Sequence, residues 1–143
     1  MLIGEYFHTI DIKKRLALPA KFRRELGKSL IVTRGVDNCL VVYTEGEWRK
    51  IAEKLASLPE SKPEARTYRR LILSGAMLVK LDSLGRILIP ENLKGYAELK
   101  KKVVICGLFN RLEIWDSSNW EKYRSKEEKN VDDLASQLGE LGV

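Results

Sequence analysis

The chain has a single histidine, two cysteines and four prolines among its 143 residues. Its longest uncharged run near the middle, Leu71 to Val79, has nine residues. Each scarcity excludes something. A bilayer span needs about 20 apolar residues, so that run cannot cross one. The N-terminus carries Glu5, His8 and Asp11 where a signal peptide needs an apolar block, and the expected address is cytoplasmic. Cys39 and Cys106 lie far apart with no CxxC spacing, which gives no zinc motif. They are expected to be reduced, partly buried thiols that behave as small hydrophobes. His8 has no second histidine to share a metal, and is expected to be a core histidine with a hydrogen-bond partner. There is no glycine-rich phosphate loop and no GxSxG elbow. Neither an enzyme nor a cofactor is expected.

What is present is charge, and it is unevenly placed. The net charge is +6, with 44% hydrophobic and 32% charged residues, the balance of a folded globular chain. Residues 1–74 hold 15 Lys/Arg against 9 Asp/Glu, whereas residues 75–143 hold 11 of each. The excess suggests a polyanionic partner met mainly by the first half, although a basic protein with nothing bound has the same composition.

The second positive feature is an internal repeat. Asp11-Ile12-Lys13-Lys14-Arg15-Leu16-Ala17-Leu18-Pro19 and Asp82-Ser83-Leu84-Gly85-Arg86-Ile87-Leu88-Ile89-Pro90 share one pattern at an offset of 71: Asp, three residues, Arg, an apolar run, Pro. One inserted residue then moves the offset to 72, matching Gly35 with Gly107, Asn38 with Asn110, Tyr43 with Trp115 and Trp48 with Trp120. A chain of this length suits one domain, or two very small units sharing a core.

Each copy predicts the same elements. Glu5 to Ile10 and Ala76 to Leu81 alternate as strands, with Tyr6, His8 and Ile10 facing inward like Met77, Val79 and Leu81. A turn follows the aspartate. Gly85 suits positive φ there, while Lys14 occupies that place in the first copy, either strained or in a different turn. Leu16, Leu18, Ile87 and Ile89 then point inward while Arg15 and Arg86 face outward. Pro19 and Pro90 open short helices with Phe22, Leu26, Leu93 and Ala97 as apolar positions. Leu30–Thr33 with Leu40–Tyr43, and Val103–Cys106 with Leu112–Trp115, read as strand pairs across the loops 34–38 and 107–111. Thr44 with Glu47 and Ser118 with Glu121 have capping-box spacing, and Trp48, Ile51, Leu55, Leu58, Trp120 and Tyr123 read as core. A helix is expected over Glu64–Ser74. Val131, Leu134, Leu138 and Leu141 have helical spacing but too little apolar surface to stand alone, so they need a surface to pack on, a neighbouring subunit being one candidate.

The chemistry concentrates in the two Asp-x-x-x-Arg motifs. A carboxylate held by an arginine is a poor general base. It can instead close a turn by accepting backbone N–H groups and orient the guanidinium. Two readings follow from chemistry alone: Asp11–Arg15 only staples its turn, or it presents a steadied arginine to guanine edges in a DNA major groove, with Lys13 and Lys14 attracting phosphates.

Taken together, the two Asp-x-x-x-Arg motifs, the run from Leu81 to Pro90, the block from Arg34-Gly35 to Cys39-Leu40, and the stretch from Gly107 to Trp115 resemble the MraZ family of the AbrB-like, swapped-hairpin superfamily. The resemblance spans nearly the whole chain. Lys14 departs from it, standing where the family usually has Gly. It implies an α+β fold in which two βαββ repeats interleave as a pseudo-dimeric barrel with flanking helices. Residues 1–60 and 75–128 would be the repeats, 61–74 a connecting helix and 129–143 a C-terminal helix. It implies a DNA-binding transcriptional regulator, cytoplasmic and at the nucleoid. Its partners would be double-stranded DNA and further copies of itself in a ring, with no membrane. The target would be short G-rich direct repeats ahead of the division and cell-wall gene cluster. The site residues would be Asp11, Lys13, Lys14, Arg15, Asp82 and Arg86. Arg15 is expected to read bases and Arg86 to be secondary, because its half has no net charge and carries Ser83 and Leu84 where the first has Ile12 and Lys13. The rivals are an antitoxin-like AbrB module with a flexible tail, and a ring-forming scaffold that binds no nucleic acid.

Overall fold

A computed structural model describes residues 1–143. The first copy runs β1 (Leu2–Thr9), β2 (Arg15–Ala17), α1 (Ala20–Leu26), β3 (Ser29–Arg34), β4 (Leu40–Thr44) and α2 (Glu45–Ala56). α3 (Pro63–Ser74) connects it to β5 (Met77–Lys80), β6 (Arg86–Leu88), α4 (Glu91–Tyr96), β7 (Lys102–Phe109), β8 (Arg111–Asp116) and α5 (Ser117–Glu128). The chain ends in α6 (Val131–Gln137) and a 3-10 turn over Gly139–Leu141. The expected βαββ order holds, with the first strand of each copy divided in two by its Asp-x-x-x-Arg turn.

The copies exchange strands. All pairing is antiparallel, in a six-stranded sheet of order β1-β7-β8-β4-β3-β5 and a two-stranded ribbon β2-β6. β1 of the first copy pairs with β7 of the second from Leu2↔Phe109 to Thr9↔Lys102. β5 of the second copy pairs with β3 of the first from Ser29↔Lys80 to Val32↔Met77. The sheet does not close, and β1 and β5 are its edges. The fold is the mixed α+β, swapped-hairpin architecture, built on an open sheet.

Burial ties the two halves together. One continuous core takes Leu16, Leu18, Phe22, Leu30 and Val42 from the first copy and Ile87, Ile89, Leu93, Val103 and Ile114 from the second. Leu16 and Ile87 face each other across the ribbon and are both fully buried. Each such side chain contributes roughly 1.5–3 kcal/mol on burial, a gain that needs both copies in place. Tyr96 Oη, in α4, donates to the Gly35 carbonyl at 2.6 Å and fastens the second copy to the first copy's hairpin loop.

Several local expectations need correction. Along the third strand the repeat offset is 73, not 72, since Leu30↔Thr44 corresponds to Val103↔Asp116; it returns to 72 only after the hairpin. Residues 107–111 are not a loop: β7 continues to Phe109 because β1 pairs with it that far, leaving a tight turn at Phe109-Asn110 with Phe109 at φ 73°. Met77 is 47% exposed, because it sits at the end of an edge strand that nothing covers, while Val79 faces the core as expected. Thr44 caps α2 through Glu47 N–H, but α5 is capped by Asp116 and not by Ser118. β8 runs directly into α5, so its last residue is the cap. Trp48 and Trp120 are half-buried, and Tyr123, stacked on Trp120, is 41% exposed instead of core. His8 is half-buried on the inward side and makes no side-chain hydrogen bond. Both cysteines are buried, unpaired thiols. Val131, Leu134, Leu138 and Leu141 are exposed on the C-terminal segment.

Candidate nucleic-acid interface

The two turns are built alike, atom for atom. In the first, Asp11 Oδ1 accepts from the backbone N–H groups of Lys13 at 2.9 Å and Arg15 at 2.8 Å, and Oδ2 accepts from Arg15 Nε at 2.8 Å. In the second, Asp82 Oδ1 accepts from Leu84 and Arg86 N–H, both at 2.9 Å, and Oδ2 from Arg86 Nε at 2.8 Å. Asp11 N–H donates to Arg15 O, and Asp82 N–H to Arg86 O, at 2.9 Å each. An aspartate is suited to this place because its short carboxylate reaches both N–H groups and still has an oxygen for the guanidinium. The Arg15 N–H foremost, then its guanidinium, hold the Asp11 carboxyl below its ordinary range; Arg86 does the same for Asp82.

Lys14 adopts φ 63° and Gly85 φ 74°, so the turn type is the same in both copies and Lys14 occupies a left-handed position. The neighbours explain the difference. A Cβ on Gly85 would lie 2.1 Å from Arg23 Nε, because the Arg23 side chain crosses that spot to donate to Leu18 O from Nε at 3.1 Å and Nη2 at 3.0 Å. The sequence equivalent of Arg23 at the first turn is Lys94, which lines the same groove as Lys14, and Lys14 forms an ion pair with Glu91. Gly85 with Ala20 and Arg23 is thus matched by Lys14 with Glu91 and Lys94.

The ribbon brings the two turns together. Arg15 pairs with Leu88 and Arg86 with Ala17, and the ladder extends through Leu18 N–H to Gly85 O at 3.0 Å and Ile89 N–H to Lys14 O at 2.8 Å. Arg86 Nη1 also lies 3.9 Å from Asp11 Oδ2. The Arg15 and Arg86 side chains are 33% and 26% exposed, neither sealed inside the core nor loose in water. In both, Nε is engaged by aspartate while the Nη groups make no hydrogen bond. Lys13 is exposed and makes no ion pair, whereas the Lys14 ammonium is occupied by Glu91.

Sequence reasoning missed the cations that flank the turns. A groove of about 620 Å³ beside Asp11 is lined by Lys14 together with Lys94, Lys100 and Lys101 of the second copy. A smaller groove of about 410 Å³ beside Asp82 is lined by Arg23 and Lys28 of the first copy. These flanks could not be assigned by counting charges in each half, because the exchanged strands place each turn against the other copy. Arg86 is therefore flanked by cations of the first copy although its own half carries no net charge. No group of His, Cys, Asp and Glu side chains could hold a metal ion, and no helix is long and apolar enough to cross a membrane.

The exchanged-strand fold, built from two copies of one unit, is that of the AbrB-like, swapped-hairpin class. The sequence profile described as "MraZ protein, putative antitoxin-like" matches residues 1–71 and again residues 72–139. The protein named Transcriptional regulator MraZ from Halothermothrix orenii is 48% identical over 143 residues, all of both chains. Those of the same name from Caldicellulosiruptor bescii and Alkaliphilus oremlandii are 48% and 46% identical over the same full span. The chain belongs to the MraZ family, a family of transcriptional regulators and not of enzymes.

Proposed function

We propose that this chain is a DNA-binding transcriptional regulator whose β2-β6 ribbon reads duplex DNA, with Arg15 and Arg86 as base readers. Asp11 and Asp82 hold the two guanidiniums, and Lys13 and Lys14 face the phosphates. The target is short G-rich direct repeats ahead of the division and cell-wall gene cluster. The protein acts in the cytoplasm, at the nucleoid, as a ring of identical subunits. Residues 1–60 and 75–128 serve as its two repeats, 61–74 as the connecting helix and 129–143 as the C-terminal helix.

The observation that carries this reading is the state of the arginines. Each has Nε fixed by a carboxylate and Nη groups that make no hydrogen bond, Arg86 Nη1 lying 3.9 Å from Asp11 Oδ2, on side chains still partly exposed. A guanidinium held in one orientation loses less freedom on binding. Its planar fork matches O6 and N7 of guanine, and a two-stranded ribbon fits the major groove. A turn that needed only a staple has it in the backbone N–H bonds to Oδ1, so the second carboxylate oxygen is spent on aiming the side chain. The ring is supported by exposed Val131, Leu134, Leu138 and Leu141 on the C-terminal segment, a face for a neighbouring subunit. That segment is helical over Val131–Gln137, unlike the long flexible arm of an antitoxin.

Titration of a labelled duplex carrying tandem G-rich repeats tests the proposal, with a scrambled duplex beside it. Arg15→Ala and Arg86→Ala should each cost about 1–3 kcal/mol per lost base contact and narrow the preference for the repeat. Equal binding of repeat and scrambled duplex by the unaltered protein refutes base reading. No binding to any duplex at low salt leaves the scaffold reading in its place.

A further inference from the structure

The geometry points to a phosphate-binding groove at the first turn, formed by Lys94, Lys100 and Lys101 of the second copy, as the main electrostatic anchor on duplex DNA. The inference rests on the DNA-binding reading above and adds residues that no motif contains.

Three observations carry it. First, the groove is fixed beside the reader. Ile10 N–H donates to Lys101 O at 2.8 Å, which pins Lys101 next to Asp11, and Lys94 projects from α4 into the same groove. Second, its ammonium groups are available. The Lys94 and Lys101 ammonium groups make no hydrogen bond or ion pair, and Lys100, 3.9 Å from Asp116, keeps its side chain 75% exposed. Lys14, the cation supplied by the turn itself, is bound by Glu91 and so contributes less. Third, the corresponding groove at the second turn is weaker. Ile10 N–H to Lys101 O is matched there by Leu81 N–H to Lys28 O at 2.9 Å, which aligns Lys101 with Lys28 and Lys100 with Gly27. Arg23 stands for Lys94, but two of its guanidinium nitrogens already donate to Leu18 O. The first groove therefore offers two unpaired cations, Lys94 and Lys101, and a largely exposed Lys100 at the outer limit of pairing with Asp116, where the second offers Lys28 and the remaining edge of Arg23. Lysines that flank a base reader suit backbone phosphates: they fix register and add affinity without reading sequence. The first turn is then the more firmly anchored of the two, by charge that the second half of the chain supplies.

The test is the salt dependence of binding to a labelled duplex of mixed sequence, measured for the full-length protein and for a Lys94→Gln/Lys100→Gln/Lys101→Gln variant. A Lys122→Gln/Lys126→Gln/Lys129→Gln variant on α5 and beyond removes the same charge elsewhere. Each phosphate contact contributes about 0.9 to the slope of log K against log salt, so the groove variant should flatten that slope by roughly two to three, and the α5 variant should leave it unchanged. Thermal melting of each variant separates lost contacts from lost fold; the groove side chains are at the surface, and Lys94→Arg/Lys100→Arg/Lys101→Arg should restore the slope. An unchanged slope in the groove variant, or equal flattening in both variants, overturns the inference while leaving the DNA-binding reading intact. An unaltered protein that binds no duplex overturns both.

Discussion

Arg86 Nη1 lies 3.9 Å from Asp11 Oδ2, so the carboxylate of the first turn faces both arginines of the ribbon. Asp82 has only Arg86 within ion-pair distance. The two aspartates, equivalent in sequence and in local hydrogen bonding, are therefore unequal in the folded chain.

That inequality predicts a difference between two matched variants. Asn keeps an oxygen for the turn N–H groups and removes the charge. Asp11→Asn should weaken binding to the G-rich duplex by a larger factor than Asp82→Asn, because it releases Arg15 and also removes the second carboxylate facing Arg86, whereas after Asp82→Asn the Asp11 charge still faces Arg86. Fluorescence anisotropy at one salt concentration measures this, and equal losses would sink the shared-carboxylate account.

The turn position held by Lys14 predicts opposite responses in the two copies. A non-glycine residue in the left-handed region is disfavoured by about 1–2 kcal/mol, partly offset for glycine by its greater freedom when unfolded. Lys14→Gly should therefore raise stability by about 0.5–1 kcal/mol in urea denaturation, since the exposed pair with Glu91 is worth little. Gly85→Ala should lower it by about 1–2 kcal/mol or more, because the new Cβ also displaces Arg23 from the Leu18 carbonyl. Two changes of the same sign would contradict a common turn geometry.

Acid should destabilise the fold in two stages. Burial, and then the Arg23 charge, lower the pKa of His8 from its ordinary value near 6.5. The unfolded chain then takes up that proton before the folded one does, so stability falls as pH drops below about 6.5 towards the folded value. Asp11 and Asp82 are also depressed, by backbone and then side-chain hydrogen bonds from Arg15 and Arg86. Their contribution is complete above the ordinary carboxylate range and is lost as pH falls through the lower folded values. In denaturation curves across pH, His8→Leu should remove the upper stage only, and Asp11→Asn with Asp82→Asn the lower one. Retention of the upper stage in His8→Leu would reject the assignment.

The two thiols should be silent in the native protein. Burial foremost, with Glu113 nearby, pushes Cys39 far above the usual thiol range and Cys106 up to about 12. Thiolate is the reactive form, so alkylation at pH 8 should label neither residue until denaturant is added, and then both. Mass spectrometry of the intact chain reads this out directly. Rapid labelling without denaturant would show that the cluster with Val104 and Trp115 opens.

Much of the site was legible because its signals are local. Asp11 and Asp82 four residues before an arginine, with Pro19 and Pro90 four residues further, specify a turn, a short strand and a helix start within nine residues each. Alternation in Leu16, Leu18, Ile87 and Ile89 gave the buried face correctly. Failures occurred where a distant partner decides. Phe109 is strand because Leu2 pairs with it, and Met77 is exposed because β5 is an edge. Asp116 caps α5 because no residue separates β8 from that helix. That Gly107 is the equivalent of Arg34 and not of Gly35 appears only once the hairpins are registered, Arg34 against Leu40 and Gly107 against Leu112.

The amino-acid order alone determined that there are two copies of one unit, where each turns, and which side chains seek cover. It could not determine whose strands each copy would pair with, since backbone hydrogen bonds and buried apolar contacts are indifferent to distance along the chain. The tertiary structure settled that by exchange. It set Lys94, Lys100 and Lys101 beside Asp11, and Arg23 and Lys28 beside Asp82, so the field around each arginine belongs to the opposite half of the molecule.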